Sequence, residues 1–339
     1  MGRSSTIDIL RGVAVIIMIF ANTTQYFIDL SNQNFVRFIF SLTAPVFLVI
    51  TGYVTEILLN SITHSKKKIT LRIFQILFFA IIIDLVFWKA MPFVTFDILY
   101  LIAASQLFLI LINKRHQFAV VLIVLIGTLV MHAAFEYRFD IPDLTLDNLN
   151  QKDIVRSIQP LKRFLFDGWF PIFPWLGFVF LGAIGRQYYA AIETKKNYFL
   201  LTGLFLLIIM ILVNRNIQFL QRDFYLEIWY PATGVILLIP LATFLIIAGL
   251  ISRTIISSNI FINFIIILGR NSLFVYVFNA LLIALVLDFK LNNSSIDSRY
   301  VLLIVILTIL TSTLLIERFR RSKIWPIVPK GIKFLLGYQ

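Results

Sequence analysis

A chain of 339 residues that is 60% hydrophobic and 14% charged, with a mean hydropathy of +0.92, falls well short of the roughly 25% charged residues that cover a soluble domain. Its 30 Lys and Arg against 17 Asp and Glu leave a net charge of +13. Those basic residues stand between apolar runs, so membrane lipid is the expected partner and nucleic acid is not. The absence of cysteine excludes disulfides and thiolate chemistry, and with three histidines in the chain no metal or haem site is expected.

A bilayer core of about 30 Å takes roughly 20 apolar residues per helix. Ten such runs follow one another, near 8–28, 36–59, 69–88, 92–112, 118–135, 169–191, 198–213, 232–251, 264–287 and 300–316. Backbone amides in lipid must pair within their own segment, so the runs read as helices and the fold class as all-α and polytopic. The first run could pass for a signal peptide, but Asp8 and Arg11 interrupt it and no small-residue cleavage site follows Ala21, so it is expected to be retained. A cytoplasmic N-terminus gathers Arg3, Lys66, Lys67, Lys68, Arg72, Lys114, Arg115, Arg186, Lys195, Lys196, Arg253 and the basic tail at 317–339 on one side, against only Glu193 and Glu317. This asymmetry predicts both termini on the cytoplasmic side of a cell (inner) membrane. The chain then reads as a single transmembrane domain, 1–339, with a mixed-charge outer loop at 136–168 that either caps the bundle or holds a polyhydroxylated ligand.

Ionisable and amide groups inside spans are costly and mark candidate sites. In the first run Asp8 and Arg11 are three apart on one face, and Asn22 lies about 16 Å further along the axis on that face. An ion pair at the headgroups would explain Asp8 and Arg11 but not Asn22. Glu56, near the inner end of the second run, reads as a snorkelling carboxylate. Asp84 in the third run and Asp97 with Tyr100 in the fourth flank a tight turn near Met91 and Pro92. Two carboxylates sharing a low-dielectric site would suit a general base, unless each pairs with an arginine or an amide. Gly269 and Arg270 are expected at a helix start, followed by Asn271, Ser272, Tyr276 and Asn279. Arg270 could bind an anion there or simply anchor the helix at the interface. His132, at the outer end of the fifth run, is the one histidine placed to meet a substrate on that side; a structural role is the blander reading.

The segments "STIDILRGVAVIIMIFAN", "APVFLVITGY", "FDILYLIAASQL", "WFPIFPWLGFVFLGAIGR" and "LGRNSLFVYVFN" occur in this order between Ser5 and Asn279. Together they resemble the catalytic-domain family of heparan-α-glucosaminide N-acetyltransferase, within a wider group of transmembrane acyltransferases. The resemblance implies transfer of an acyl group, usually acetyl from cytosolic acetyl-CoA, to a sugar on the far face of the membrane. It assigns Asp8 and Arg11 to the opening motif, Pro174 and Trp175 to the middle block and Arg270 and Ser272 to the last. In many relatives histidines stand where this chain has Asn22, Tyr100 and Asn279, so another base must serve.

The expected function is therefore an acyl-CoA-dependent transfer to an envelope glycan or glycolipid. Asp97 with Tyr100 is the expected catalytic pair, and Asp84 or His132 the substitutes. Asp8, Arg11, Asn22, Trp175, Arg270, Ser272 and Asn279 are expected to bind substrate. The competing expectation is a relative that lost its histidines and now binds or translocates a lipid or glycan precursor without chemistry. Either is compatible with an oligomer.

Overall fold

The structure is a computed structural model that describes residues 5–24, 34–60, 66–88, 90–138, 161, 164–165, 168–214, 238–251, 259–292, 299–322, 325–327 and 333. Among these residues the regular secondary structure is helical, with no strand. In chain order the helices are α1 (Ser5–Thr24), α2 (Asn34–Ser41), α3 (Thr43–Leu59), α4 (Lys66–Val86), α5 (Ile98–Leu111), α6 (Gln117–Arg138), α7 (Ile172–Gln187), α8 (Tyr189–Thr194), α9 (Lys196–Asn214), α10 (Leu238–Ile251), α11 (Ile260–Arg270), α12 (Ser272–Asn292) and α13 (Arg299–Arg321). A 3-10 turn, Lys114–His116, links α5 to α6.

Among the described residues four stretches are long and apolar enough to cross a bilayer: Ser5–Thr24, Phe35–Leu59, Lys66–Val86 and Leu302–Arg321. The number rises to six if α5 with α6, bent by 118°, and α11 with α12, bent by 80°, each count as one span. Large apolar side chains face outward along these helices, among them Leu71, Phe74 and Phe78 on α4 and Leu303, Leu307, Leu310 and Leu314 on α13. An apolar exterior of this kind belongs in lipid. Hydroxyls inside the helices are returned to the backbone one turn back, as from Thr128 to Val124 O and from Thr308 to Ile304 O, which removes the cost of an unpaired donor at membrane depth.

Two expected runs are corrected. The fourth does not begin at residue 92, because Phe93 and Phe96 take positive φ values of 65° and 46° and the helix starts only at Ile98. The ninth is not one helix. It breaks at Asn271, so that Gly269 and Arg270 close α11 instead of opening a helix, and Ser272 opens α12. The Asn271 N–H reaches both Ile267 O and Leu268 O, and its side-chain amide donates to Ile267 O at 2.5 Å, an end cap that the chain cannot continue through.

The chain divides into two compact units, residues 1–43 with 254–339, and residues 44–253. In the first, α1 packs along α11 and also touches α12 and α13. Contact is backbone to backbone: a Cβ on Gly12 would lie 2.1 Å from Ile265 O, and one on Gly269 would lie 1.8 Å from Asp8 O. In the second unit α4 pairs with α5, α6 with α7, and α9 with α10. There α3 meets α7 in the same way, through Gly52 against Val179 O and Gly182 against Val49 O. Small residues permit this approach, which in a membrane substitutes for the missing hydrophobic drive between helices.

Candidate active site

In the first unit the close approach of α1 and α11 brings the opening motif onto the break at Asn271. Arg270 Nε donates to Asp8 Oδ2 at 2.9 Å, and Arg11 Nη2 donates to Ser272 Oγ at 2.6 Å. From α13, Arg320 Nη2 donates to Asn271 Oδ1 at 3.1 Å. Three guanidinium groups thus meet around residues 270–272, with the buried Asp8 carboxylate in contact with Arg270. The same residues lie at the start of α12, where the first backbone N–H groups have no helical acceptor. An excess of planar cations beside a helix start suits a phosphate or another anion.

Asp8 and Arg11 are thereby brought together with Arg270 and Ser272, although each bonded pair spans more than 250 positions. Arg320 was legible only as one more basic residue of the tail, since nothing in the sequence ties it to Asn271. Further along α12, Asn279 is fully buried, and neither its amide nitrogen nor its oxygen has a hydrogen-bond partner among the described residues. A buried unpaired amide costs about 1–3 kcal/mol, so the position calls for a ligand or a reason to remain polar. Asn22 lies three turns beyond Arg11 on α1 and is half-buried.

In the second unit the acidic residues separate into different jobs. Tyr100, on the first turn of α5, donates its hydroxyl to Asp84 Oδ2 at 2.6 Å. Asp84 Oδ2 also accepts from Phe93 N at 3.0 Å, and Oδ1 accepts from the Thr95 hydroxyl. Asp84, Thr95 and Tyr100 are all buried. Asp97, the first choice as partner of Tyr100, instead receives Ile98 N at 2.5 Å as the N-cap of α5. The carboxylate joined to Tyr100 is Asp84, contributed by the preceding helix.

The loop this carboxylate holds is a strained one, with both left-handed phenylalanines inside it, and such strain concentrates where a fold positions functional groups. The Trp169 and Phe170 N–H groups pair with Thr95 O and Phe96 O, which fastens the start of the middle block to the same loop. Phe93, Phe96 and Tyr100 pack on one another, and the Trp88 and Trp169 rings meet edge-on at 3.8 Å. Trp175 is packed between Phe170 and Phe178 and is 5% exposed, which makes it part of the core. His132 falls on α6, but its side chain lies outside the described residues. Thr95 and Phe93 escaped sequence reading because a lone loop threonine and a phenylalanine backbone amide carry no pattern.

Glu56 does not snorkel. It is completely buried and ion-paired to Lys114 at 3.1 Å, with Asn60 Nδ2 donating to the same oxygen at 2.9 Å. Bringing the lysine in from the α5–α6 turn neutralises a carboxylate that would otherwise have to reach water.

Outward-facing apolar helices with glycine-mediated crossings define a multi-pass, all-helical membrane protein. The chain belongs to the family described as heparan-alpha-glucosaminide N-acetyltransferase, catalytic, whose profile matches residues 3–216. This is a family of membrane acetyltransferases. The match takes in Asp8, Arg11, Asp84, Tyr100 and Trp175, whereas the α11–α12 break and Asn279 lie beyond its end. Comparison with curated proteins and with solved structures gave no match.

Proposed function

We propose that this chain is an integral-membrane acyltransferase that moves an acetyl group from cytosolic acetyl-CoA to a sugar of an envelope glycan or glycolipid on the outer face of the cell membrane. In this reading the chain forms one transmembrane domain of ten crossings with both termini cytoplasmic, and the outer loop at 136–168, whose first residues close α6 and most of which lies outside the described residues, engages the acceptor. The observation that carries the reading is the meeting of Arg11, Arg270 and Arg320 at the start of α12 in a chain of this family. Guanidinium groups recognise the phosphates of a CoA donor through paired N–H donors, and the basic asymmetry of the sequence assigns this end of α1 to the cytoplasmic side.

For the chemistry, the acceptor hydroxyl or amine must lose a proton as it attacks the thioester carbonyl; the carbon–sulfur bond then breaks and CoA leaves as the thiolate, which takes up a proton to depart as the free thiol. Asp84 is the favoured base in place of Asp97. The proton would pass to the Tyr100 oxygen while the Tyr100 proton moves along the existing 2.6 Å hydrogen bond to Asp84. Within the first unit, Asn279, with its unpartnered amide, would hold a polar atom of the acetyl-CoA donor. The alternative of a non-catalytic relative that binds a lipid or glycan precursor draws on one observation: Asp84 already accepts three hydrogen bonds and anchors a loop.

The test uses membranes from expressing and deleted cells supplied with acetyl-labelled acetyl-CoA and other labelled acyl donors. Label entering glycan or glycolipid only in the expressing membranes, and lost in Tyr100→Phe, is the expected result. Equal incorporation with every donor would remove the acyltransferase reading.

A further inference from the structure

Ser105 and Gln106 stand side by side on α5, a helix of the second unit that packs against α4 and α7, and they are 0% and 1% exposed. The Ser105 hydroxyl is returned to Ile102 O at 2.9 Å. Gln106 is not accommodated in this way: neither its amide nitrogen nor its amide oxygen has a hydrogen-bond partner among the described residues. Gln117, also buried in the second unit, shows the ordinary arrangement, since it accepts from Gln187 Nε2 at 2.7 Å. An unpaired amide at membrane depth is costly, and a methionine of the same length would fill the place without that cost. The glutamine therefore marks a position that a polar group of a ligand visits.

We propose that Gln106 binds the acetyl-CoA donor, pairing with a secondary amide of its pantetheine arm and so setting the depth of the thioester beside Tyr100. The inference rests on the acyltransferase reading and names the part of the donor that this position takes. Six residues separate Gln106 from Tyr100, about 9 Å along α5 and roughly a third of a turn around it. The end of α5 toward Lys114 and Arg115 is the one that the basic asymmetry assigns to the cytoplasm, so Gln106 lies on the side from which a cytosolic donor approaches Tyr100. Along an extended pantetheine arm the two amides stand roughly 5 and 10 Å from the thioester carbon at ordinary bond lengths. An amide of the arm thus falls near the level of Gln106 when the thioester is level with Tyr100. Each such amide carries one N–H and one C=O that need partners away from water, and a glutamine offers the complement of both, Oε1 for the N–H and Nε2 for the carbonyl. An acceptor sugar, coming from the opposite end, would meet Tyr100 before Gln106. Gln106 touches no reacting atom; it positions the donor.

The test compares wild type and Gln106→Met in permeabilised membranes of expressing cells, with three acetyl-labelled donors: acetyl-CoA, S-acetylpantetheine, which keeps both amides, and S-butyl thioacetate, which has none. Gln106→Met should raise the KM for acetyl-CoA about tenfold and change kcat less, the effect of one or two neutral hydrogen bonds. The preference for S-acetylpantetheine over S-butyl thioacetate, as a ratio of kcat/KM, should fall by a similar factor. Gln106→Asn, which keeps the amide one methylene short, should retain part of that preference. The unfolding temperature of Gln106→Met in detergent should not fall, because no bond within the chain is lost. If Gln106→Met does not assemble, Gln106→Leu serves the same comparison. Transfer with an unchanged preference in the variant, an equal loss with both thioesters, or a lowered unfolding temperature would each overturn this proposal alone. No transfer by the wild type from any donor would remove the acyltransferase reading and this proposal with it.

Discussion

Replacing Asp84 by Asn tests whether this carboxylate holds the second unit together as well as serving the reaction. The ionised side chain accepts from the Thr95 hydroxyl, the Tyr100 hydroxyl at 2.6 Å and Phe93 N at 3.0 Å. An asparagine keeps one acceptor oxygen and turns an NH₂ group toward donors. The bond on the side of the NH₂ group must be reversed, with the hydroxyl there turned to accept, and all three bonds lose the charge of the carboxylate. A hydrogen bond to a charged group contributes about 1.5–3 kcal/mol against about 0.5–1.5 kcal/mol for a neutral one, so the three together lose a few kcal/mol. The bonds also hold Phe93 and Phe96 at positive φ, a strain of roughly 1–3 kcal/mol each that relaxes when the anchor fails and so offsets part of the loss. The balance is a destabilisation of about 2–4 kcal/mol, or a Tm lower by roughly 5–10 °C for a unit of this size. Thermal unfolding in detergent, followed by intrinsic fluorescence, measures it, with labelled-acetyl transfer assayed on the same samples. Both readouts should fall. Transfer lost at an unchanged Tm would refute the anchoring argument and leave a base alone, whereas a lowered Tm with intact transfer would remove Asp84 from the chemistry.

Asn279→Leu should raise stability by about 1–3 kcal/mol, because it removes a buried unpaired amide, and should abolish transfer; a stability gain without loss of transfer would take Asn279 out of the site. Gly52→Ala should lower the unfolding temperature sharply, since its Cβ would sit 1.8 Å from Val179 O and α3 and α7 would have to part. Gly177→Ala, whose Cβ would meet Val124 at an ordinary 3.4 Å, should not. Arg270→Leu takes one charge-assisted partner from the buried Asp8; with Arg270 41% exposed, the expected cost is about 1–2 kcal/mol in unfolding, with donor affinity weakened in parallel.

Composition and run length determined the helical class, because a chain too apolar to cover itself in water must lie in lipid, and lipid admits backbone only where its hydrogen bonds close within the segment. The order of the five motif blocks was likewise enough for the family, and the three-residue spacing of Asp8 and Arg11 was enough to put them on one face. Partnerships were not legible. The spacing of Asp97 and Tyr100 is helical and local, yet the Tyr100 hydroxyl went to Asp84, because the N-terminus of α5 required a cap and Asp97 was the residue standing there. Arg320 met Asn271 because a helix break turned an amide toward α13, and a break set by one cap leaves no periodicity to read. The sequence thus determined which residues are polar at membrane depth; which of them share a hydrogen bond was decided by a cap at Asp97, a break at Asn271 and the glycines that let α1 reach α11 at backbone distance, because each of these sets which distant helix a polar group meets.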